Sequence, residues 1–301
     1  MKVLVTGAAG FIGGWTVGEL RKRGFDVAGT DKVAADGVHR ADLTDLAQVS
    51  AVFKETKPDA VIHLGAISGS TGKNEVEQSL RQPYLNFHVN ALGTANVCEA
   101  CRVGGVGKLI YMSSFAVYGK TGKDRLPITE ETPIALEHAY ATSKYMGELA
   151  VRAYSEDFKI RSAIFRAPFI VGEGQRERNV VKEFVESVLG DKELVIFGEG
   201  KHVREFIHPS DLADAYARAL AGLDGFGSMN EVFVLGNSPV AIKDLAAQVI
   251  KQAGKGTIKH LHQSVDRTFD QYSDYSKAKR LLGWSPKLQI ESIIEKFLTC
   301  T

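Results

Sequence analysis

The sequence predicts an α/β fold, in which a doubly wound parallel sheet is followed by a smaller C-terminal α/β unit. Through residue 165, short apolar runs of strand length alternate with longer amphipathic stretches of helical period. This alternation is typical of parallel strands joined by right-handed helical crossovers. The rhythm changes after Pro168, which indicates one unit at 1–165 and a second at 166–301. Two segments are expected to return to the first unit, around 204–222 and 231–236.

The individual elements follow from the period of each run and from the residues that bound it. The apolar runs predict strands at residues 3–5, 25–29, 60–66, 108–112, 160–165, 194–197 and 232–235, with a further strand leading into a turn at 203–209. The amphipathic stretches predict a first helix that ends near Arg23, then helices at 46–54, 84–103, 139–156, 180–189, 212–220, 242–253 and 290–297. Ser210 or Asp211 is expected to cap the helix at 212–220. Residues 68–82 are expected to form a loop or a partly exposed helix start.

Composition and charge argue against several classes of protein. The 301 residues are 44% hydrophobic, and 37 basic against 36 acidic residues leave a net charge of +1 with no long run of one sign. Such a chain can bury a large core, and it gives no indication of a nucleic-acid partner or an anionic membrane surface. No apolar run approaches the length of a membrane span, and the N-terminus enters the first strand without a signal-peptide pattern. We therefore expect a cytoplasmic protein.

The three cysteines are too few for a disulfide framework. Cys98 and Cys101 lie within a predicted helix, with no second cysteine pair and no nearby histidine. We interpret them as small core residues, and the sequence predicts no metal site.

A glycine-rich turn connects the first strand to the first helix. Gly7, Gly10 and Gly13 are spaced so that the first allows a tight turn, the second lets backbone approach a phosphate, and the third allows close helix packing. Asp31 ends the second strand, 18 residues after Gly13, where a carboxylate can accept hydrogen bonds from ribose hydroxyls. The combination predicts a Rossmann-type dinucleotide site with the pyrophosphate at the helix N-terminus. Because a carboxylate repels a 2′-phosphate, Asp31 favours NAD, while the neighbouring Lys32 leaves tolerance of NADP open.

Residues that follow two other predicted strands complete this site. Asp42 and Leu43 lie just beyond a strand end, where side chains can flank an adenine ring. Asp42 could equally serve as the N-cap of the helix that follows. Gly65 and Ala66 are small residues at the carboxyl end of a strand, where ligands bind in open α/β sheets.

A tyrosine and a lysine are spaced for acid–base chemistry. Tyr140 and Lys144 lie four residues apart, on one face of a predicted helix. A phenol with its usual pKa of ~10 is a poor base at neutral pH, but a neighbouring ammonium group and an oxidised nicotinamide both favour the phenolate. Such a pair can take a proton from a sugar hydroxyl while a hydride leaves the same carbon. Ser114 follows another predicted strand and can hold the same oxygen by a hydrogen bond.

Motifs along nearly the whole chain resemble those of the extended short-chain dehydrogenase/reductase family, and within it the nucleotide-sugar epimerase and dehydratase branch. The motifs of the first half are Thr6-Gly7-x-x-Gly10-Phe11-Ile12-Gly13, Asp42-Leu43, His63-Leu64-Gly65-Ala66, Asn90 with Gly93-Thr94, Ser113-Ser114-x-x-Val117-Tyr118-Gly119 and Tyr140-x-x-Ser143-Lys144. Those of the second half are Arg204-x-x-Ile207-His208-x-x-Asp211-Leu212-Ala213, Asp274-x-Ser276-Lys277-Ala278 and Leu282-Gly283-Trp284.

The resemblance implies roles for particular residues. The implied catalytic set is Ser114, Tyr140 and Lys144. The implied cofactor contacts are Gly7, Gly10, Phe11, Ile12, Gly13, Asp31, Lys32, Asp42, Leu43, Leu64, Gly65, Ala66, Asn90, Ser113, Tyr140, Lys144 and Pro168. The implied substrate contacts are Ser114, Tyr140, Phe169, Arg204 and Arg267, with Arg204 matching an arginine that binds the substrate diphosphate, for which a guanidinium group is well suited.

The resemblance also implies an activity and an assembly. The expected reaction is NAD-dependent epimerisation of a nucleotide sugar at C4 through a transient 4-keto sugar, with UDP-glucose and UDP-galactose as the expected pair. The helices at 84–103 and 139–156 correspond to those that this family often uses to form a homodimer.

Departures from the family pattern bear on the substrate. Phe169 stands where this branch usually has an asparagine that touches the nucleotide sugar. Asp266 and Arg267 only approximate a phosphate-binding Arg-x-Gly-Asp pattern. Phe115 and Ala116 occupy the positions at which sugar dehydratases have an acid pair, so dehydration is not expected.

Two alternatives remain open from the sequence. An oxidoreductase that acts on a sugar or another small alcohol, with NAD as cosubstrate, would use the same serine, tyrosine and lysine, and Phe169 argues somewhat for it. A non-catalytic NAD-responsive binding protein would be expected to lose Tyr140 or Lys144, and this chain keeps both.

Overall fold

The computed structural model describes residues 1–67, 82–175, 178–261 and 269–299. Its strands in chain order are β1 (Lys2–Thr6), β2 (Asp26–Asp31), β3 (Val38–Arg40), β4 (Ala60–His63), β5 (Lys108–Met112), β6 (Arg161–Arg166), β7 (Phe169–Ile170), β8 (Leu194–Phe197), β9 (Val203–Arg204), β10 (Phe206–Ile207), β11 (Asn230–Val234), β12 (Val240–Ala241) and β13 (Ile258–Leu261).

Seven of these strands form one parallel sheet in the order β11-β6-β5-β4-β1-β2-β3. The chain moves outward from β1 to β3 and then returns to β4 on the other side of β1, so the sheet is doubly wound and the predicted fold class is confirmed. A crevice is expected where the winding direction reverses, beyond the carboxyl ends of β1 and β4.

The α-helices of at least seven residues in the described ranges are α1 (Phe11–Lys22), α2 (Leu46–Thr56), α3 (Gly93–Gly104), α4 (Ala139–Phe158), α5 (Val180–Leu189), α6 (Pro209–Gly222), α7 (Ile242–Ala253), α8 (Ser276–Leu282) and α9 (Ile290–Thr299). None of the helices in the described ranges is long and apolar enough to cross a membrane.

Alternate residues of the sheet pack into two separate cores, because successive side chains of a strand point to opposite faces. Val3 and Val5 contribute to the core under α1 and α6, whereas Leu4 contributes to the core under α2, α3 and α4. Cys98 and Cys101 are fully buried in the second core, in agreement with their interpretation as core residues. Strands covered on both faces explain why the apolar runs are continuous rather than alternating.

The C-terminal part has a core of its own, built from α5, α7 and α9 with β8. Three strand pairs accompany it: β8 with β13, β7 with β10, and β9 with β12. Two elements of this part of the chain return to the central sheet and its helices. Strand β11 pairs with β6, and helix α6 packs against α1.

The helix predicted at 84–103 is a composite of three pieces. A single α-turn at Pro83–Leu85 leads into a π-helix at Asn86–Leu92, and regular α-helix begins only at Gly93. The side chain of Asn90, inside the π-helix, hydrogen-bonds the backbone of Ile67. Widened turns of this kind are often found at functional sites, and periodicity alone does not reveal them.

One predicted helix cap is wrong, and Asp42, which the sequence left open as a possible cap, does not cap a helix. α6 begins at Pro209 rather than at residue 212, and its N-cap is His208, whose Nδ1 accepts the backbone N–H of Ser210. Neither Ser210 nor Asp211 caps this helix, because proline occupies the first helical position, where it is favoured. Asp45, not Asp42, caps α2 by accepting two backbone N–H groups.

Candidate active site

A cavity of about 780 Å³ lies at the carboxyl ends of the central strands. It brings together eighteen residues predicted from the sequence: Gly7, Gly10, Phe11, Ile12, Gly13, Asp31, Lys32, Asp42, Leu43, Leu64, Gly65, Ala66, Ser113, Ser114, Tyr140, Lys144, Pro168 and Phe169. Such concave sites, with a few convergent polar groups, are where small ligands bind.

The glycine turn has the geometry that its spacing predicts. Gly7 has a φ of +70°, which disfavours other residues, and a Cβ there would lie 2.8 Å from the backbone nitrogen of Gly65. A Cβ on Gly13 would collide with the carbonyl oxygen of Gly7. Gly10 is the N-cap of α1 and lines the cavity, and it has no side chain that could accept the first N–H groups of the helix. These features fit the pyrophosphate of a dinucleotide.

Asp31 is fixed at the edge of the cavity by backbone donors. Its two carboxylate oxygens accept the N–H groups of Ala9 and Val33, each at 3.1 Å. Each oxygen has a further lone pair, so the carboxylate can still accept bonds from ribose hydroxyls. The residues present therefore fit the adenosine end of NAD.

Asp42 closes a local turn and does not cap a helix. Its Oδ1 accepts the backbone N–H of Thr44 at 2.9 Å and the Thr44 hydroxyl at 2.7 Å. The backbone donor, followed by the hydroxyl, lowers the pKa of the Asp42 carboxyl. The turn holds Asp42 and Leu43 on the cavity wall.

Ser114, Tyr140 and Lys144 reach the cavity from two elements. Ser114 follows β5 and caps a short 3₁₀-helix, with its Oγ accepting the N–H of Ala116 at 3.2 Å. Tyr140 and Lys144 lie one turn apart at the start of α4, so their side chains share one face of that helix. His138 caps α4 through Nδ1, and its ring stacks on Tyr140 with the centroids 6.2 Å apart.

Lys144 is almost completely buried, with 3% of its surface exposed. Burial lowers the pKa of Lys144 to about 7, while the carboxylate of Glu148 acts in the opposite sense. An ammonium group in this position increases the acidity of a neighbouring phenol, which is the condition that Tyr140 needs to act as a base.

The hydroxyl of Ser113 is hydrogen-bonded to a buried ion pair. Its hydroxyl donates to Glu148 Oε1 at 2.5 Å, and Arg166 donates to both Glu148 oxygens at 2.9 and 2.6 Å. Arg166 also donates to the hydroxyl of Tyr118 at 2.9 Å. This network connects β5, β6 and α4, and it fixes the strand end that carries Ser114.

Asn90, for which a cofactor contact is predicted, is not among the residues that line the cavity. Its side chain accepts the N–H of Ile67 at 2.9 Å and donates to the Ile67 carbonyl at 3.1 Å. The same amide group donates to the hydroxyl of Ser143, which in turn donates to the carbonyl of Tyr140. Asn90 therefore holds the cavity wall in place from behind, because both ends of its amide are already bonded to protein.

Arg204 also does not line the cavity. Its guanidinium packs 4.4 Å from the ring centroid of Phe269, which does, and it donates to the backbone carbonyls of Val203 and Phe269. Burial lowers the pKa of Arg204 to about 10. Arg267, the other predicted phosphate ligand, lies outside the described residues, as does Asp266.

Several lining residues were not predicted: His138, Gln175, Arg178, Asn179, Phe269 and Gln271. Asn179 caps α5 by accepting the N–H of Lys182, so the start of this helix forms part of the wall. An asparagine just before a helical run is a recognisable signal for a cap, but it does not reveal which surface the helix faces. Phe269 and Gln271 come from the irregular tail, where no periodicity marks them.

Among the described residues, no group of three or more histidine, cysteine, aspartate or glutamate side chains could hold a metal ion.

Comparison with known proteins assigns this fold and site to a family. The model of the NAD dependent epimerase/dehydratase family matches residues 3–236, and the chain belongs to that family. The UDP-glucose 4-epimerase of Mycolicibacterium smegmatis is 29% identical over 98% of this chain and 97% of its own. The Thermus thermophilus UDP-glucose 4-epimerase, solved with NAD, superposes with a TM-score of 0.84 at 28% identity, covering 99% of each chain. The Thermotoga maritima UDP-glucose 4-epimerase, solved with UDP-glucose, gives a TM-score of 0.88 at 25% identity, covering 100% of this chain and 98% of the other.

Proposed function

We propose that the protein interconverts UDP-glucose and UDP-galactose by NAD-dependent epimerisation at C4. The observation that carries this proposal is one cavity that joins the glycine turn and Asp31 to Ser114, Tyr140 and Lys144. The relatives named above are UDP-glucose 4-epimerases, and the family match covers the residues that form most of the cavity.

In the proposed reaction, Tyr140 takes the proton of the 4-hydroxyl group. The ammonium of Lys144 lowers the proton affinity of the phenolate, and the Ser114 hydroxyl holds the reacting oxygen by a hydrogen bond. Bound NAD supplies a reversible acceptor for the hydride of C4. The 4-keto sugar then turns over in the cavity, Tyr140 returns its proton when the opposite face is reduced, and no external oxidant is consumed.

We propose that the nucleotide sugar occupies the part of the cavity lined by Phe169, Asn179 and Phe269. Support comes from the N-terminus of α5 at this wall, since the N–H groups of a helix start favour a phosphate. Arg204 and Arg267 remain candidates for the diphosphate. To bind the diphosphate, the Arg204 guanidinium would have to give up its hydrogen bond to the carbonyl of Val203 or of Phe269.

A dehydrogenase or reductase that acts on a sugar or small alcohol is the second candidate. Phe169 favours it, because an apolar side chain lines the cavity where nucleotide-sugar enzymes of this branch usually have an asparagine. The catalytic set serves either reaction, so net consumption of NAD distinguishes them.

The decisive experiment is to incubate the purified protein with UDP-galactose, without added cofactor, and to follow UDP-glucose by proton NMR. We expect conversion without net formation of NADH. Absence of conversion even after NAD is added would overturn the assignment. Stoichiometric growth of absorbance at 340 nm with free or nucleotide-linked sugars would establish the dehydrogenase instead.

We also propose a homodimer that forms through α3 and α4 in the cytoplasm. Both helices pack against each other and expose apolar side chains: Val103, Met146, Leu149 and Phe158. Adjacent exposed apolar groups are typical of an interface. The free thiols of Cys98 and Cys101 are compatible with a reducing compartment. Light scattering should give twice the 32.7 kDa mass of the chain, and a monomeric mass would contradict the dimer.

A further inference from the structure

Tyr111, in the fourth position of β5, contacts Lys144 at two points. Its hydroxyl donates a hydrogen bond to the backbone carbonyl of Lys144 at 3.1 Å. The ammonium nitrogen of Lys144 lies 4.5 Å from the centroid of the Tyr111 ring. One buried side chain therefore holds both the backbone and the charged end of the lysine.

The position of the Tyr111 ring is closely determined by its neighbours. Tyr111 is completely buried, and its ring lies 5.6 Å from that of His63 on the adjacent strand β4. Gly147 leaves room for the phenol, because a Cβ at that position would collide with the Tyr111 hydroxyl oxygen. The ring therefore has little freedom to move away from Lys144.

The face of an aromatic ring attracts a cation, and the attraction is largest where water is excluded. It opposes the effect of burial, which disfavours the charged form of Lys144. Burial also raises the pKa of Tyr111 well above its usual value, so its phenol stays neutral and adds no competing charge.

The other titratable groups around Lys144 come from three elements. Glu148, on the same helix, favours the ammonium, although its carboxylate is shared with Arg166 of β6. His63 of β4 stays neutral, because burial lowers its pKa to about 3. Tyr140 lies one turn earlier on α4, on the same face of the helix as Lys144.

We propose that Tyr111 is a positioning residue for catalysis, whose ring face keeps the Lys144 ammonium charged and directed toward the cavity that contains Tyr140. The contribution of this ring to the rate rests on the proposed function, whereas its effect on the proton affinity of Lys144 does not. The phenol does not touch the substrate and exchanges no proton in the reaction.

The test compares Y111F, which keeps the ring, with Y111L, which removes it, in the purified holoprotein. The protein is labelled with ¹³Cε-lysine, and the Lys144 resonance is identified by its loss in K144M. We expect Y111L to lower the pKa of Lys144 by about one pH unit and Y111F to keep it close to the wild-type value. In turnover, the decline of rate at high pH should begin about one pH unit lower in Y111L, because less of the ammonium survives.

An equal Lys144 titration in all three proteins would overturn the proposal, whatever happens to thermal stability. If Y111L does not fold, a series of phenylalanine and ring-fluorinated phenylalanines at position 111 preserves shape while it weakens the ring face. The pKa of Lys144 should then fall with each added fluorine, and a constant value would contradict the ring contact. Since this readout needs no turnover, a protein that shows the shift but does not epimerise UDP-galactose refutes only the proposed function.

Discussion

The two ends of the cavity are built from different materials. The end proposed to bind the dinucleotide consists mainly of backbone and small residues at strand ends, namely the glycine turn, Gly65 and Ala66. The end proposed to bind the sugar consists of larger side chains from short strands, a helix cap and the tail, including Phe169, Asn179 and Phe269. At the first end, the close approach of backbone restricts which residue types can occupy a position. At the second end, the binding surface depends on which distant segments the fold brings together.

Replacement of the proposed base should have the largest effect on the reaction. We expect Y140F to reduce epimerisation by about 10²- to 10⁴-fold, because the phenylalanine ring keeps the shape but cannot transfer a proton. The measurement is the initial rate of UDP-glucose formation from UDP-galactose by NMR.

Y140F should still retain NAD, since the dinucleotide end of the cavity is unchanged. Quantification of NAD released from the denatured protein provides the control. A Y140F protein with near wild-type turnover would show that a group other than Tyr140 takes the proton of the 4-hydroxyl.

A paired glycine substitution tests the backbone-built end. A Cβ on Gly13 would collide with the Gly7 carbonyl oxygen, whereas a Cβ on Gly14, the next residue of α1, has no atom within 4 Å. Overpacking of this kind costs roughly 1–3 kcal/mol, so G13A should weaken NAD binding by about 5- to 150-fold.

G14A is the matched control, since it adds the same methyl group one position along the helix. We expect its NAD affinity, measured by fluorescence titration of the cofactor-depleted protein, to stay near the wild-type value. Equal losses in both variants would indicate a general effect on α1 rather than the close approach of the turn.

Residue types with a narrow physical meaning can be placed at the cavity from the sequence. Glycine at 7, 10 and 13 and the carboxylate of Asp31 all line it. Side chains with several possible partners are harder to place. Asn90 and Arg204 carry polar groups suited to ligands, yet neither lines the cavity and both hydrogen-bond backbone groups, so their ligand contacts stay predictions.

The caps of α2 and α6 are difficult to assign from sequence for the same reason. Asp42 and Asp45 are both acceptable N-caps before α2, and only the path of the preceding turn selects Asp45. His208 is an unusual capping residue, so residue preference pointed instead to Ser210 or Asp211. The π-helix around Asn90 cannot be distinguished from an α-helix by its sequence, because its apolar residues recur at ordinary helical spacing.

The smallest expected effect comes from the side-chain-built end, at the residue that departs from the family pattern. Phe169 is about one-third exposed and lies against Phe206, with ring centroids 6.1 Å apart. F169N places an amide in the cavity where a nucleotide sugar would pass. A neutral hydrogen bond contributes roughly 1 kcal/mol, so we expect the KM for UDP-galactose to fall about fivefold.

F169L, which is smaller but remains apolar, controls for the lost ring. If both variants raise KM equally, Phe169 contributes packing and the sugar makes no polar contact there. If only F169N lowers it, the sugar end can be retuned by one side chain while the dinucleotide end cannot tolerate one methyl group.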